Sequence, residues 1–354
     1  MLRCLELAQL GAGSVAPNPM VGCVIVHDGK IIGEGYTSPY GGNHAEVNAI
    51  NSVTDASLLP HSTLYVSLEP CAHFGKTPPC ANLIIEKNIR RVVIACLDPF
   101  AQVNGLGIKR LMEAGIDVKI GVLEAEAQEV NRRFFTFHQK KRPYIILKWA
   151  ETADGFVDGI RTNANQPSLK ITSETANILV HKWRAEEAAI MIGKNTALLD
   201  NPSLTTRKYA GKNPIRILLD GKMETPTASN IFNDEAETIL FYESTKSEIR
   251  NSKLGTRNSQ LGTRNSELET ISVETFHNLK SILSELHTRN IQSVIVEGGP
   301  TLHASFYTAG LWDEIRRFVT PITIEKGVKA IPLNETPKEE SQIGDNHLLI
   351  YRNQ

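Results

Sequence analysis

The sequence lacks an excess of charge of either sign. Its 38 lysines and arginines almost balance its 39 aspartates and glutamates, so the formal net charge is −1 at pH 7. Proteins that bind long nucleic acids usually carry an extended basic surface, because contacts to phosphate supply much of their affinity. We therefore expect no nucleic-acid partner, although a local basic pocket for a single phosphate is compatible with this composition.

Long apolar runs and cysteines are also scarce. No run of about eighteen consecutive apolar residues occurs, so we expect neither a membrane-spanning helix nor a membrane partner. The segment from Met1 to Gly13 predicts a short amphipathic helix rather than a secretory signal. Five cysteines in 354 residues make a poor disulfide framework, and a reducing compartment would leave them free to bind metal. A cytoplasmic protein is expected.

The first part of the chain has the alternation of strands and helices that is typical of α/β proteins. Apolar, β-rich runs predict strands at 21–26, 64–68 and 91–96. Helical patterns predict helices that begin near His44, at Cys80 and near Gly107, and one long helix from Leu123 to about His138. Asp28-Gly29 is a strong two-residue hairpin signal between two apolar runs, so the sheet is predicted to be mixed.

A domain boundary is predicted at the basic stretch Gln139–Arg142, because Pro143 prevents the preceding helix from continuing. A second α/β alternation follows the proline. Its strands are predicted at 144–149, 188–192, 215–219, 238–242 and 294–296. We therefore predict one domain at 1–142 and a second at 143–354.

A short internal repeat interrupts the second domain. Leu254–Gln260 is followed directly by the nearly identical Leu261–Glu267. A coiled coil needs two apolar positions per heptad and disfavours glycine, whereas each of these repeats has one leucine and one glycine. The repeat therefore predicts a mobile surface insertion at about 244–270.

Four residues in the first domain have the types and order of a zinc site. His44 and Glu46 stand at a predicted helix start, Cys71 follows a predicted strand, and Cys80 opens another helix. Catalytic zinc takes thiolate and imidazole ligands, with three from the protein and water in the fourth position. We predict one zinc ion held by the histidine and the two cysteines. A structural zinc site, or a capping histidine beside two core cysteines, is the alternative.

Glu46 completes the chemistry that such a site can perform. Water bound to zinc has a pKa of about 7 and can attack an electrophilic ring carbon as hydroxide. The departing amine still needs a proton, and Glu46, two residues from His44, is placed to carry it from the water. Nucleobase deaminases use this arrangement, with a glutamate that is not a ligand. The motif predicts a zinc-dependent deaminase with Glu46 as the catalytic residue.

Two further features carry a resemblance to a known family. They are the segment Ala16-Pro-Asn-Pro-Met-Val-Gly22 and the eight residues between Cys71 and Cys80, where nucleic-acid-editing deaminases usually have two. With them the chain resembles the bifunctional deaminase/reductase family of riboflavin biosynthesis over nearly its whole length. The resemblance implies an N-terminal cytidine-deaminase-like α/β/α sandwich with a mixed sheet and a C-terminal dihydrofolate-reductase-like α/β domain.

The same resemblance implies two activities and a small phosphorylated substrate. A hydrolase would deaminate 2,5-diamino-6-ribosylamino-4(3H)-pyrimidinone 5′-phosphate. An NADP-dependent oxidoreductase would then use NADPH to reduce the ribosyl group to ribityl, giving 5-amino-6-(5-phosphoribitylamino)uracil. Asn18, His73 and Lys76 would contact the deaminase substrate, although Asn18 could instead cap a turn and Lys76 could be a solvated loop residue. We also expect a homo-oligomer, either a dimer or a tetramer.

The second domain has no Gly-x-Gly-x-x-Gly, so a Rossmann fold is not supported. Ile295–Ser305 instead passes from a strand through a glycine turn into a helix, whose first amides can hold a pyrophosphate. Gly193–Arg207 is interpreted as another strand-exit loop. The resemblance implies cofactor contacts from Ala150, Lys170, Thr196, Asp200, Gly221, Gly299, Pro300, Thr301, Leu302, His303, Ala304 and Ser305. It implies reductase substrate contacts from Ser168, Arg184, Leu204, Arg207 and Glu297, with Lys148 against the cofactor.

Three positions depart from the usual family pattern, namely Asn43, Phe100 and Lys170. Lys170 stands where a tryptophan is common and supports a second hypothesis, in which the second domain only binds a nucleotide or a sugar phosphate. A third hypothesis is an RNA or free-base deaminase with an unrelated second domain. The near-neutral charge and the long cysteine spacing argue against RNA.

Overall fold

The computed structural model describes residues 1–72, 78–100, 104–244, 268–276 and 278–353. Its backbone contacts divide the chain into two compact units, Met1–Arg142 and Pro143–Gln354. The seven-residue repeat lies outside the described residues. Among the residues that are described, no helix is long and apolar enough to cross a membrane.

The first unit is built around a five-stranded mixed sheet in the order β2-β1-β3-β4-β5. Its strands are β1 (Gly22–His27), β2 (Lys30–Tyr36), β3 (Thr63–Val66), β4 (Arg91–Ile94) and β5 (Asp117–Ile120). β1 pairs antiparallel with β2 and β3, whereas β3, β4 and β5 are parallel. Asp28 and Gly29 both have positive φ and form the two-residue turn between β1 and β2, so the predicted hairpin and mixed sheet are confirmed.

Helices cover both faces of this sheet. They are α1 (Leu2–Gln9), α2 (Ala45–Asn51), a 3₁₀ helix (Ala56–His61), α3 (Cys80–Glu86), α4 (Leu106–Glu113), α5 (Glu124–Val130) and α6 (Arg132–Lys140). Alternate residues of β1 point to opposite layers: Cys23 and Ile25 lie in the main core, whereas Val24 packs with Cys4 and Leu7 of α1. The first unit is therefore a three-layer α/β/α sandwich.

A glycine in β2 sets the position of α2. A Cβ atom on Gly35 would lie 2.4 Å from the backbone nitrogen of Ala49 and 2.6 Å from the carbonyl oxygen of Ala45. Only glycine lets the helix approach the strand this closely. Because His44 is the N-cap residue of α2 and Glu46 lies in its first turn, this close packing also positions both residues.

The prediction of one long helix from Leu123 to His138 is wrong. The segment forms two helices, α5 and α6, which are separated by Asn131 with φ −101° and ψ 21°. The Asn131 side chain accepts a hydrogen bond from the backbone nitrogen of Met20 and donates one to its carbonyl oxygen, both at 2.8 Å. This tertiary contact binds the Asn131 side chain to the backbone of Met20, and the helix is interrupted at Asn131.

The second unit contains a nine-stranded sheet in the order β11-β10-β9-β8-β12-β6-β13-β16-β15. Its strands are β6 (Tyr144–Glu151), β8 (Ala189–Gly193), β9 (Ile215–Leu219), β10 (Thr238–Glu243), β11 (Leu268–Val273), β12 (Ser293–Gly298), β13 (Glu314–Val319), β15 (Glu339–Ile343) and β16 (Asn346–Arg352). All neighbours are parallel except β13 with β16 and β16 with β15. A separate antiparallel pair joins β7 (Phe156–Asp158) to β14 (Val328–Lys329).

Helices also cover both faces of the larger sheet. They are α7 (Glu174–Glu186), α8 (Lys194–Asp200), a 3₁₀ helix (Asn230–Phe232), α9 (Leu279–Thr288) and α10 (Pro300–Thr308). In β6, Ile145 and Leu147 pack with Leu283 of α9, whereas Ile146 packs with Val180 of α7. Burial on both faces explains why β6 is a continuous apolar run in the sequence.

Two predictions for the second unit need correction. The segment 193–207 is not all loop, because α8 begins directly after β8, with Gly193 as an extended N-cap and Ala197 buried against the sheet. The insertion predicted at 244–270 extends too far, because residues from 268 onward form β11 and pair with β10. The parallel strands β6, β8, β9 and β12 all end at one edge of the sheet, where α/β proteins bind ligands.

Candidate metal centre and cofactor cavity

The structure brings the three predicted zinc ligands together. His44 Nδ1 lies 3.5 Å from Cys71 Sγ and 3.3 Å from Cys80 Sγ. All three potential ligand atoms lie within 4.8 Å of one another, and no other such cluster occurs in the part of the chain that the structure describes. Cys80 is the first residue of α3, and Cys71 lies in the segment that follows β3.

The donor set fits a catalytic zinc ion, because two sulfur atoms and one nitrogen leave the fourth position for water. Hydrogen bonds from the Cys80 thiol and backbone and from His44 outweigh burial and lower the pKa of the Cys71 thiol well below its usual value. The backbone nitrogen of Cys80 donates to Cys71 Sγ at 3.3 Å. These contacts favour the thiolate form of Cys71, which is the form that binds zinc.

Glu46 lies beside these ligands in the interior of the first unit. Its side chain belongs to the first turn of α2, and the residue is only 4% exposed. Burial, and then the charge of Cys71, raise the pKa of the Glu46 carboxyl to about 7. A carboxyl with a pKa near neutrality can both accept and release a proton, as a general acid–base catalyst must.

The predicted contacts to the deaminase substrate are only partly described. His73 and Lys76 lie outside the described residues. Asn18 lies in a turn, half-buried, and its backbone nitrogen donates to the carbonyl oxygen of Val15 at 3.0 Å.

A cavity of about 800 Å³ lies at the carboxyl ends of β6, β8, β9 and β12 in the second unit. Most of the residues expected to bind cofactor or reductase substrate line it. These are Ala150, Ser168, Thr196, Asp200, Gly221, Glu297, Gly299, Pro300, Thr301, Leu302, His303 and Ser305, together with Lys148. Lys170, Arg184, Ala304, Leu204 and Arg207 are not among the lining residues.

Arg184 forms an ion pair with the buried carboxylate of Glu297, which lines the cavity. Its Nη2 atom lies 2.6 Å from Glu297 Oε2, and the two side chains are 12% and 9% exposed. Burial alone would raise the pKa of Glu297, but the positive charges of Arg184 and Lys148 outweigh it and lower the pKa to about 2. The wall of the cavity therefore carries an ionised carboxylate at neutral pH.

The remaining predicted substrate residues gather next to this ion pair. Arg184 Nη1 donates to the carbonyl oxygen of Thr205 at 3.3 Å, and Arg207 Nη1 donates to the Oγ1 atom of Thr205 at 3.0 Å. The backbone nitrogen of Arg207 donates to Nδ1 of the buried His181 at 3.0 Å. Leu204 is buried with a left-handed backbone, φ 56°. These residues form one connected group beside Glu297.

The sequence prediction missed Arg161, which also lines the cavity. Its Nε atom donates to Asp158 Oδ2 at 2.6 Å, and its Nη2 atom binds Asp200, which was expected to contact the cofactor. Glu243 was missed as well and lines the cavity at the end of β10. The sequence signal available for Glu243 was its position at the carboxyl end of a predicted parallel strand. Arg161 offered no local signal.

Family comparisons agree with this division into two sites. A model described as the cytidine and deoxycytidylate deaminase zinc-binding region matches residues 1–96, which include all three ligands. The model of the RibD C-terminal domain matches residues 143–341, more than half of the chain. The chain belongs to the RibD family. Both expected folds, the cytidine-deaminase-like first unit and the reductase-type α/β second unit, are confirmed.

Individual RibD relatives match over nearly their whole length. The riboflavin biosynthesis protein RibD of Aquifex aeolicus (strain VF5) is 39% identical over 345 residues, which cover 96% of this chain and 91% of the relative. RibD of Bacillus amyloliquefaciens is 41% identical, with 92% of this chain and 84% of the relative covered. The crystal structure of a diaminohydroxyphosphoribosylaminopyrimidine deaminase/5-amino-6-(5-phosphoribosylamino)uracil reductase from Thermotoga maritima is 34% identical, with a TM-score of 0.85. That match covers 99% of this chain and 97% of that chain.

Proposed function

We propose that this protein catalyses two successive steps of riboflavin biosynthesis. The first is the hydrolytic deamination of 2,5-diamino-6-ribosylamino-4(3H)-pyrimidinone 5′-phosphate. The second is the NADPH-dependent reduction of the ribosyl group to ribityl, which gives 5-amino-6-(5-phosphoribitylamino)uracil. The observation that carries the proposal is that one chain of the RibD family contains both a three-ligand zinc site with a buried glutamate and a separate cofactor cavity.

Deamination is assigned to residues 1–142. When bound to His44, Cys71 and Cys80, zinc supplies a Lewis acid that lowers the pKa of water to about 7. Glu46 accepts the proton that the attacking water loses and returns it to the departing amino group. Its burial keeps the carboxyl pKa close to neutrality, so both transfers are accessible at the same pH. Asn18, His73 and Lys76 are proposed to hold the pyrimidinone and its phosphate.

Reduction is assigned to residues 143–354. When bound, NADPH supplies the hydride, and the protein provides position and electrostatics. The N-terminus of α10 faces the cavity through Pro300 and Thr301 and is suited to a diphosphate group. Glu297, which Arg184 keeps ionised, and Lys148 lie on the same wall and are proposed to orient the ribosyl group.

The remaining cofactor and substrate assignments belong to the same proposal. They comprise cofactor contacts from Ala150, Lys170, Thr196, Asp200, Gly221 and residues 299–305, and substrate contacts from Ser168, Leu204 and Arg207. A cytoplasmic location is supported by the need of both ligand cysteines for reducing conditions. A homo-oligomer, dimer or tetramer, is also proposed, and light scattering of the purified protein tests it.

The function is tested with two readouts on one sample. Purified zinc-loaded protein is supplied with the diaminopyrimidinone ribosylamine phosphate and NADPH, and ammonia release and NADPH oxidation are followed separately. We expect one ammonia and one oxidised NADPH per substrate. Ammonia release without NADPH oxidation would contradict the reductase assignment and favour a second unit that only binds its ligand. No ammonia release from the diamino substrate, together with NADPH oxidation only when the already deaminated pyrimidine is supplied, would contradict the deaminase assignment.

A further inference from the structure

A buried carboxylate lies two residues before the zinc ligand Cys71. Glu69 is only 4% exposed, and within the described part of the chain it forms no ion pair with lysine or arginine. Its Oε2 atom accepts a hydrogen bond from the backbone nitrogen of Gly105 at 2.9 Å, and its Oε1 atom accepts one from Gly107 at 2.9 Å. A longer contact reaches the backbone nitrogen of Ile108 at 3.3 Å. Another long contact comes from the backbone nitrogen of Asp98, at 3.4 Å. The carboxylate is thus satisfied by backbone N–H groups, mainly those of the segment that starts α4.

These contacts make Glu69 the cap of α4. The N-cap residue of that helix is Gly105, which has no side chain to satisfy the free backbone N–H groups of the first turn. A side-chain oxygen usually fills this role from the N-cap position itself. Here the oxygen comes from a residue 36 positions earlier, and its negative charge also lies at the positive end of the helix dipole.

Helix α4 also makes a hydrogen bond to the residue that follows Cys71. Arg110 Nη1 donates to the carbonyl oxygen of Ala72 at 2.7 Å and to Asn82 Oδ1 at 2.9 Å. Asn82 belongs to α3, the helix that begins with the ligand Cys80. Arg110 therefore connects α4 to the neighbourhood of both cysteine ligands.

The backbone between these anchors packs directly on α4. A Cβ atom at Gly107 would lie 1.9 Å from the carbonyl oxygen of Pro70, a distance that no side chain can occupy. Residues 69, 70 and 72 are therefore all in contact with α4, and Cys71 lies between them.

We propose that Glu69 and Arg110 are positioning residues that fix Cys71 for zinc binding by anchoring its segment to α4. This inference rests on the proposed zinc site. Neither residue is a zinc ligand. Each acts through its hydrogen bonds to backbone atoms. Groups that orient metal ligands typically change metal affinity or activity by about 10- to 100-fold when they are replaced. Loss of either anchor is expected to let Cys71 move and zinc dissociate.

The test measures zinc release from the holoprotein into a chromogenic chelator at neutral pH. Glu69→Gln keeps the shape of the side chain but turns an NH₂ group toward backbone N–H donors. Arg110→Met keeps much of the side-chain length and removes both hydrogen bonds. We expect each variant to release zinc roughly 10- to 100-fold faster than the wild type. Excess zinc should restore ammonia release to Arg110→Met, which a loss of fold would not permit.

Asn131→Ala is the matched control, because its side chain also anchors one backbone segment to another in the first unit but does not contact residues 69–72. We expect it to lower the unfolding temperature and leave the rate of zinc release unchanged. Wild-type release rates in both Glu69→Gln and Arg110→Met would overturn the inference, as would equal acceleration by Asn131→Ala. If Glu69→Gln does not fold, the rate of zinc release from Arg110→Met alone tests the inference. A wild-type protein that binds no zinc would instead contradict the proposed function.

Discussion

Replacing Arg184 by methionine removes the main charge partner of the buried Glu297 carboxylate. The substitution keeps much of the side-chain length and removes the hydrogen bonds of Nε and Nη2 to that carboxylate, at 3.3 and 2.6 Å. Both side chains are mostly buried, at 12% and 9% exposure, so solvent screens this pair only weakly. We expect the second unit to lose stability, because the variant leaves the buried carboxylate of Glu297 without its main ion-pair partner.

The magnitude follows from the pKa of Glu297. Each pH unit corresponds to about 1.4 kcal/mol, so lowering the carboxyl pKa from its usual 4.5 to about 2 stabilises the folded state by about 3 kcal/mol. Because the folded pKa is the lower one, this contribution is complete above pH 4.5 and is lost as the pH falls toward 2. Breaking a buried pair by removing one partner typically costs about 3–5 kcal/mol. We therefore expect a loss of about 3 kcal/mol at pH 7.

Urea unfolding followed by tryptophan fluorescence measures this loss in the second unit alone. All three tryptophans of the chain, Trp149, Trp183 and Trp312, are buried in that unit. In Arg184→Met the charge of Arg184 no longer counteracts the effect of burial on Glu297. The pKa of the Glu297 carboxyl therefore rises, and the group becomes neutral at mildly acidic pH. The stability difference between wild type and variant should therefore shrink as the pH falls from 7 to 4.

Arg289→Met is the matched control, since it removes the same charge from a more exposed ion pair. Arg289 lies 2.6 Å from Glu269 and also pairs with Glu285; the three side chains are 23%, 31% and 21% exposed. Pairs of this kind contribute at most about 1 kcal/mol. A loss in Arg184→Met no larger than that in Arg289→Met, or a loss that is the same at pH 7 and pH 4, would refute the assignment of a buried, ionised Glu297.

Three further outcomes are expected. Glu46→Gln should retain zinc and lose ammonia release by at least about 100-fold, whereas Cys71→Ser should lose both; metal analysis and the ammonia assay check this pair. Burial lowers the pKa of His303 to about 4, so as the pH falls the unfolded chain takes up a proton at this histidine before the folded protein does. The stability of the second unit should therefore decrease as the pH drops from 6.5 to 4, and His303→Gln should weaken this pH dependence in urea titrations. Asn131→Ala loses two hydrogen bonds to Met20 and should destabilise the first unit by about 1–3 kcal/mol in calorimetry.

The metal centre could be predicted from sequence because each of its parts follows a local rule. His44 is the N-cap residue of α2, Glu46 lies in the first turn of that helix, and Cys80 begins α3. Thiolate, imidazole and carboxylate side chains in this order leave few alternatives for the chemistry. The approximate positions of the central strands were also predictable, because burial on both faces requires a continuous apolar run, as in β6.

Features that depend on distant contacts could not be predicted. The break at Asn131 comes from a hydrogen bond to a residue 111 positions away, and the helical pattern of the segment gives no sign of it. The capping role of Glu69 likewise needs a partner that only the fold brings near. The edge strand β15 reads Glu-Glu-Ser-Gln-Ile and is almost entirely exposed, so no apolar alternation marked it.

The order of strands in the larger sheet also has a consequence for synthesis on the ribosome. β6 is the first strand of its unit to be made, yet it pairs with β12 and β13, which begin at residues 293 and 314. At about 5–20 residues per second, the ribosome needs roughly 7 to 30 s to reach β12 after β6 begins. The sheet of the first unit is complete by Ile120, and its zinc ligands are made by Cys80. A nascent chain can therefore complete its deaminase fold while β6, an interior strand of the larger sheet, has not yet paired with its neighbours.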